Sequence, residues 1–395
     1  MEIFGVREDT MKNAQAVYTL REIMQQPATW RKTYAQIRES REELERFLSP
    51  ILSQPDFDMV LTGAGSSEFI GNALFRSLER KYGYRVKSYG STDIVPAPES
   101  HLSREKPTLL VSFGRSGNSP ESIGAVEAAD AVCRNLRHLF ITCNAGGMLS
   151  GRAAGRENCF ALNLTPETHD QAFAMTSSFS NMYLAAYLAL NLDQVDVLGG
   201  NIEDVCKTAE DFLAEGWRGA AKIVESFPFR RIVYLGNTAL KGIAQESALK
   251  MLELSAGRVE TMHDSPLGFR HGPKSIIDND TLVVAYLSDD PYQRKYELDL
   301  LREMGAQRKK NRIAAVCNTP CPAAEPHVDY LVSIGGGAPQ ENVLLGLAYL
   351  PFAQTLAALK SLSLGITPDN PCPTGEVNRV VTGVTLYPYT LEGAQ

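Results

Sequence analysis

The sequence predicts two tandem doubly wound parallel-sheet α/β domains behind an N-terminal helical arm. Three observations predict it. From residue 51 to about 200, short apolar strands alternate with helical patterns, which calls for parallel strands with helices on both faces. A second run of the same layout begins at Arg231. Finally, two strands of the first run end in small, serine-rich turns that pass directly into helices.

Residues 1–50 carry helical patterns over Thr10–Gln26 and Thr29–Leu48, broken at Pro27 and ended by Pro50. Their sparse apolar positions among many charges suit an arm packed over a neighbouring domain or subunit. The first domain, 51–203, has strands expected at 59–62, 85–89, 108–113, 137–142 and 159–164, and a long apolar helix over 175–191. A connecting helix over Asp204–Phe227 leads into the second domain, 204–365, with strands at 231–235, 281–287, 312–316 and 329–333 and a helix over Gln340–Ser363. Residues 60–74 and 233–247 read as the same βα unit twice, and 109–122 corresponds to 283–296, so the chain is an internal duplication. The tail, 366–395, is expected to close the site.

Composition excludes several classes. The chain has 395 residues, 44% hydrophobic and 22% charged, as in globular proteins. A net charge of −7 argues against a nucleic-acid partner or an anionic membrane. Seven scattered cysteines lack zinc-ligand spacing and read as reduced thiols. The polar N-terminus has no signal core, and no run approaches the roughly 18 apolar residues of a membrane span. These features predict a cytoplasmic protein with no metal and no cofactor.

The chemistry gathers at four places. In 110–122, LVSFGRSGNSPES, a strand stops at Gly114 and a helix opens at Pro120. Between them, Arg115, Ser116 and Ser119 join the orphan N–H groups of a helix start, which is the composition of an anion site. In 59–67, Gly63-Ala64-Gly65-Ser66-Ser67 makes a second such turn. Neither is a Walker A loop, and a dinucleotide fingerprint would need glycine where Glu68 stands, so a small phosphorylated ligand fits better. Glu246, Lys250 and Glu253 share one helix face, a spacing that surface salt-bridge ladders also use. The loop His263–Lys274, dense in Gly, Pro and ionisable side chains, contains His271. A further polar cluster, Glu167, His169 and Asp170, precedes Thr176 and Ser177, which also read as an N-cap for the following helix. The second copy has Asp289-Asp290 where the first has its serine turn, so one phosphate site per chain is expected.

The stretches GAGSS, SFGRSGNSPES, ETHDQAFAMTSS, ESALKMLELSAG, DSPLGFRHGPKS and VNRVV resemble the SIS (sugar isomerase) family of phosphosugar-binding domains, which have a flavodoxin-like fold. The chain is similar to the isomerase half of glucosamine-6-phosphate synthase and, along nearly its whole length, to the AgaS group of amino-sugar catabolism. The resemblance implies that Ser66, Ser67, Ser116 and Ser119 bind phosphate and sugar, with Thr176 and Ser177 counted among the binders. Arg115 stands where the synthase has glutamine. Glu253 matches the proton-shuttling carboxylate, Lys250 the lysine before it, and His271 the ring-opening histidine drawn from a partner subunit, so a homo-oligomer is expected. Arg379 falls where the synthase tail has a catalytic-site lysine. Residue 2 is Glu rather than a nucleophilic Cys, which excludes glutamine-fed synthesis.

The activity implied is conversion of galactosamine 6-phosphate to tagatose 6-phosphate and ammonia. The alternatives are aldose–ketose isomerisation without deamination and deamination of glucosamine 6-phosphate. A non-catalytic phosphosugar sensor is a further alternative, but no helix-turn-helix or basic patch supports one.

Overall fold

The computed structural model describes residues 2–381 and 383–390. The first sheet contains β1 (Asp58–Gly63), β2 (Val86–Gly90), β3 (Thr108–Gly114), β4 (Leu136–Thr142) and β5 (Cys159–Asn163), side by side in the order β2-β1-β3-β4-β5. The second contains β6 (Arg231–Leu235), β7 (Glu260–Asp264), β8 (Thr281–Tyr286), β9 (Arg312–Cys317) and β10 (Tyr330–Ser333), in the order β10-β9-β8-β6-β7. Every neighbouring pair in both sheets is parallel. Counted from its own first strand, each sheet runs 2-1-3-4-5, the flavodoxin-like order, whose switch point lies between the first and third strands. The predicted duplication of a doubly wound fold is what the chain forms.

Four helices open the chain: α1 (Glu8–Asn13), α2 (Val17–Met24), α3 (Gln26–Glu39) and α4 (Arg41–Leu52). Two were expected. Pro27 falls in the first turn of α3, where its missing N–H costs nothing, and Pro50 lies inside α4 near its end. In the first sheet, β1 leads to α5 (Ser66–Tyr82) and β3 to α6 (Pro120–Val132), while α7 (Ser177–Ala189) is buried at every residue. Val60, Leu110 and Phe140 of the sheet pack with Ile123, Val126 and Ala129 of α6, the packing expected of apolar strands covered by a helix.

The connecting helix begins earlier than expected, as α8 (Val195–Asp211), and passes through a π turn, Phe212–Gly216, into α9 (Trp217–Ser226). In the second sheet β6 leads to α10 (Ala239–Leu254) and β8 to α11 (Pro291–Gln307), and α12 (Asn342–Ser363) packs against α10. Among the described residues, α12 is the helix long and apolar enough to cross a membrane, and 89% of its most apolar window is buried inside the protein. Strand β7 was not expected. Its residues, Glu260-Thr261-Met262-His263-Asp264, are polar and partly exposed because it is an edge strand, paired only with β6 on one side.

The chain forms two compact units. One contains the second sheet, with the residues up to Arg31, Asp170–Thr176 and Leu198–Thr374. The other contains the first sheet, with Lys32–His169, Ser177–Val197 and the tail from Gly375. None of the seven cysteines is in a disulfide, and six of them are buried.

Candidate active site

The turns after β1 and β3 leave adjacent strands at the switch point of the first sheet, where Thr62 pairs with Ser112. After β1 the chain folds back so closely that a Cβ on Gly63 would lie 2.5 Å from the carbonyl carbon of Ser67. Gly65 then takes φ 56°, open to glycine and costly for other residues, and Ser66 and Ser67 start α5 as buried residues. The second turn is held from outside. Ser116 O accepts from Asn144 Nδ2 at 2.9 Å, Gly117 O from Leu149 N at 3.0 Å, and Asn118 Oδ1 from Met148 N at 2.8 Å. Ser116 Oγ accepts from Asn118 N at 3.2 Å, and the Ser119 and Ser122 hydroxyls are 2.7 Å apart. Ser119 is therefore no side-chain cap for α6; its hydroxyl turns along the helix instead.

Arg115 is buried in the same unit, and its Nη2 donates to the backbone carbonyl of Arg379 at 2.6 Å. Two residues singled out separately thus meet, but through the main chain of the tail. Tail residue Tyr389 also packs against the core under α6 and bonds Glu99. Glu68, in the first turn of α5, has its carboxyl pushed up by burial and by Asp93, against the lowering effect of Asn72.

The second unit carries the ionic face of α10. Its end is a Schellman cap, with Gly257 N bonded to Leu252 O at 2.9 Å and Ala256 N to Glu253 O at 3.0 Å, which fixes Glu253 in the last turn. Lys250 Nζ lies 3.5 Å from Glu246 Oε1 and bonds Glu253. The Lys250 and Glu246 side chains are 1% and 0% exposed, whereas that of Glu253 is 23% exposed. A surface ladder would be open along its length. This one is closed except at Glu253.

His271 is exposed on the loop that follows β7, and the loop is pinned on both sides of it. Phe269 is buried in the core of the second sheet, Arg270 pairs with Asp299 and Glu303 at 2.9 Å each, and Lys274 pairs with Glu303. Gly272 at φ 117° makes the bend that only glycine takes without strain.

The third polar cluster does not act as one group. Glu167 pairs with Lys32, which lowers its carboxyl pKa. Asp170 is fully buried and accepts from Thr176 N at 2.7 Å and Thr176 Oγ1 at 3.3 Å. Thr176 and Ser177 are themselves fully buried. Among the described residues no three His, Cys, Asp or Glu side chains come together as metal ligands. Glu22, which sequence reasoning passed over, lies near Asp170 and near Asp369, also passed over, and both push its carboxyl pKa up. Nothing in their local spacing could have found them, because the three come from distant parts of the chain.

The SIS domain family matches residues 51–192. A D-galactosamine-6-phosphate deaminase AgaS of Shewanella sp. (strain ANA-3) is 41% identical over 377 residues, covering 95% of this chain and 92% of that protein. A crystal structure from Clostridium novyi NT superposes with a TM-score of 0.96 at 43% identity, over 98% of this chain and 100% of the other. The tagatose-6-phosphate ketose/aldose isomerase of Escherichia coli superposes with a TM-score of 0.87 at 37% identity, over 95% and 97% of the two chains. The chain belongs to the SIS-domain family of phosphosugar enzymes, in its AgaS group.

Proposed function

We propose that this protein is an aldosamine-6-phosphate deaminase/isomerase that converts galactosamine 6-phosphate and water to tagatose 6-phosphate and ammonia. The observation that carries the reading is the likeness to AgaS deaminases over nearly the whole of both chains. Ser66, Ser67, Ser116 and Ser119 are assigned to phosphate and sugar, with Arg115, Thr176, Ser177 and Arg379 as further binders. Two glycine-bearing strand-to-helix turns on adjacent strands support the phosphate assignment.

The chemistry divides between His271 and Glu253. His271 moves a proton between O5 and O1 as the pyranose opens. Glu253 takes the proton from C2 and returns it at C1, by way of an enolamine. The resulting C2 ketimine adds water and releases ammonia, leaving the C2 ketone. A general base must reach solvent or substrate while being held in place. Glu253 meets both conditions, since Lys250 beneath it is buried and grips it through an ion pair. The exposure of His271 on a pinned loop supports its donation to a partner subunit's site, which makes the active species at least a dimer.

A second reading, isomerisation without loss of nitrogen, is favoured by the likeness to the tagatose-6-phosphate ketose/aldose isomerase of Escherichia coli. The two reactions share the C2-to-C1 proton transfer and differ in whether C2 carries an amine or a hydroxyl. Ammonia and ketose release over a panel of hexosamine and hexose 6-phosphates separates them. The deaminase reading expects ammonia from galactosamine 6-phosphate in equal amount to tagatose 6-phosphate, and fails if only hexose 6-phosphates without an amine are turned over.

A further inference from the structure

Three carboxyl groups from distant parts of the chain meet around the segment Asp170–Thr176. Glu22, on α2, is buried and its Oε1 accepts from the main-chain N–H of Gln171 and, at 3.3 Å, of Ala172. Asp170 holds the N–H and hydroxyl of Thr176. Asp369, in the turn after α12, accepts from Tyr18 N at 3.1 Å, Thr19 N at 2.7 Å and Thr19 Oγ1 at 2.8 Å, and its own carbonyl accepts from Phe173 N at 3.0 Å.

We propose that Glu22, Asp170 and Asp369 form a proton-held latch that positions Thr176. This rests on the reading of Thr176 as a substrate-binding residue. Glu22 and Asp170 are buried, with the partly exposed Asp369 near Glu22, and like charges in so closed a place disfavour full ionisation, so one group must keep its proton. Asp369 accepts three hydrogen bonds at the N-terminal end of α2, and Asp170 accepts two from Thr176. The proton belongs on Glu22. The charged groups that face Glu22 are Asp170 on the segment and Asp369 on the turn. Helix α12, which also packs against α2, contributes neutral Gln354, whose Nε2 lies 3.5 Å from Thr176 O. Burial first, then Asp170, and more weakly Asp369, push the Glu22 carboxyl up to about 8 against the lowering effect of the Gln171 and Ala172 amides.

The folded chain keeps this proton until pH approaches about 8, whereas the unfolded chain releases it near the ordinary value of 4.5. The contribution to stability is full below that ordinary value and is lost as pH rises through the folded value. Above it, Glu22 ionises against Asp170 and Asp369, and the segment loosens.

The test compares wild type with Glu22→Gln, which keeps the acceptor for the two amides and cannot ionise. Hydrogen exchange at Gln171, Ala172 and Thr176, corrected for intrinsic rate, is followed from pH 6 to 9.5 beside the apparent KM for galactosamine 6-phosphate. In wild type, protection falls above pH 8 and KM rises by about tenfold or more, the equivalent of one lost charged hydrogen bond. In Glu22→Gln both stay level. Asp170→Asn raises KM by a similar factor (about tenfold) at every pH, with kcat much less affected. Equal pH dependence in wild type and Glu22→Gln overturns the latch, and a protection change without a KM change overturns its hold on the binding residue. Should the wild type release no ammonia, the functional reading fails, and the exchange measurement alone still upholds or overturns the latch.

Discussion

The two sheets have the same strand order and nearly the same turn after their first strands, but the turns after their third strands carry opposite chemistry. After β1, Gly65 takes φ 56° and ψ −127°; after β6, Thr238 takes φ 50° and ψ −120°. A Cβ on Gly63 would meet Ser67, and one on Gly236 would meet Leu240 O at 2.4 Å. The backbone has been kept through the duplication. The side chains have not. Where the first unit places Ser116 and Ser119, the second buries Asp289, which accepts from Asn318 Nδ2 and Thr319 Oγ1 at 2.8 Å, Arg294 Nη2 at 2.9 Å and Gln340 N at 3.0 Å. Glu297 links the two turns of the second unit, accepting from Asn237 Nδ2 and Ser288 N at 2.8 Å each. The second unit satisfies its turns with its own carboxylates and holds the partly exposed Glu253 at the end of α10. A doubly wound sheet thus supplies the same turn twice, and a few side chains give the two copies different chemistry.

The largest effect is expected at Glu253. Glu253→Gln keeps shape and hydrogen bonding but accepts no proton, so turnover falls by the ~10²–10⁴ typical of a lost general base while phosphosugar binding persists. Isothermal titration beside an ammonia-release assay checks the pair of outcomes. Retained turnover would remove Glu253 as the base. Mixing this variant with His271→Ala subunits should restore part of the activity in hybrids, and verified hybrids without activity would place both residues in one subunit's site.

Next in size is Asp289. Its side chain is 1% exposed and faces Arg294, so Asp289→Ala leaves a partly buried guanidinium and several donors without their acceptor. Breaking such a pair costs about 3–5 kcal/mol, read as a lower urea midpoint. Millimolar inorganic phosphate should recover part of the loss by entering the emptied turn. A loss that phosphate leaves untouched would show that Asp289 is a structural ion-pair member and no stand-in for a ligand.

Much of this was legible in the sequence, for reasons particular residues make plain. The serine turns stand out because Gly63, Gly65, Gly114 and Gly117 break apolar runs just before helical patterns. The duplication is legible because β strands buried on both faces are continuous apolar words, such as Leu109-Leu110-Val111 and Val283-Val284. Edge strand β7 is not, since its exposure removes that signal. The closed environment of Glu246 and Lys250 is not legible either, because i,i+4 spacing is identical on a surface and in a core. The latch at Asp170 depends on Glu22 and Asp369, whose meeting is set by the path of the whole chain.

A smaller effect is expected in the first unit's turn. Ser116→Ala with Ser119→Ala should raise KM for a 6-phosphosugar far more than for its unphosphorylated analogue, each lost charged hydrogen bond being worth ~1.5–3 kcal/mol. Stability should hardly change, since both side chains are partly exposed. Equal loss for both ligands would move the phosphate away from this turn.

The smallest effect isolates the backbone that the two copies share. Thr238 holds a conformation that β-branched residues avoid, a strain on the order of 1–3 kcal/mol, and its Oγ1 accepts from Asn342 Nδ2 at 2.7 Å. Thr238→Gly relieves the strain but gives up that bond, about 1 kcal/mol, and adds unfolded-state freedom worth about 0.4–1 kcal/mol. The terms nearly cancel, so its urea midpoint should stay close to wild type. Gly65→Thr has no such offset. Its Cβ would meet nothing within 4 Å, so packing neither rewards nor forbids it, and it should lose roughly 1–2 kcal/mol through φ alone. It should also weaken phosphosugar binding, because the side chain would project beside Ser66. If Gly65→Thr proves as stable as wild type, the turn tolerates a side chain in either copy. Glycine would then be kept after β1 for the ligand's approach and not for the backbone.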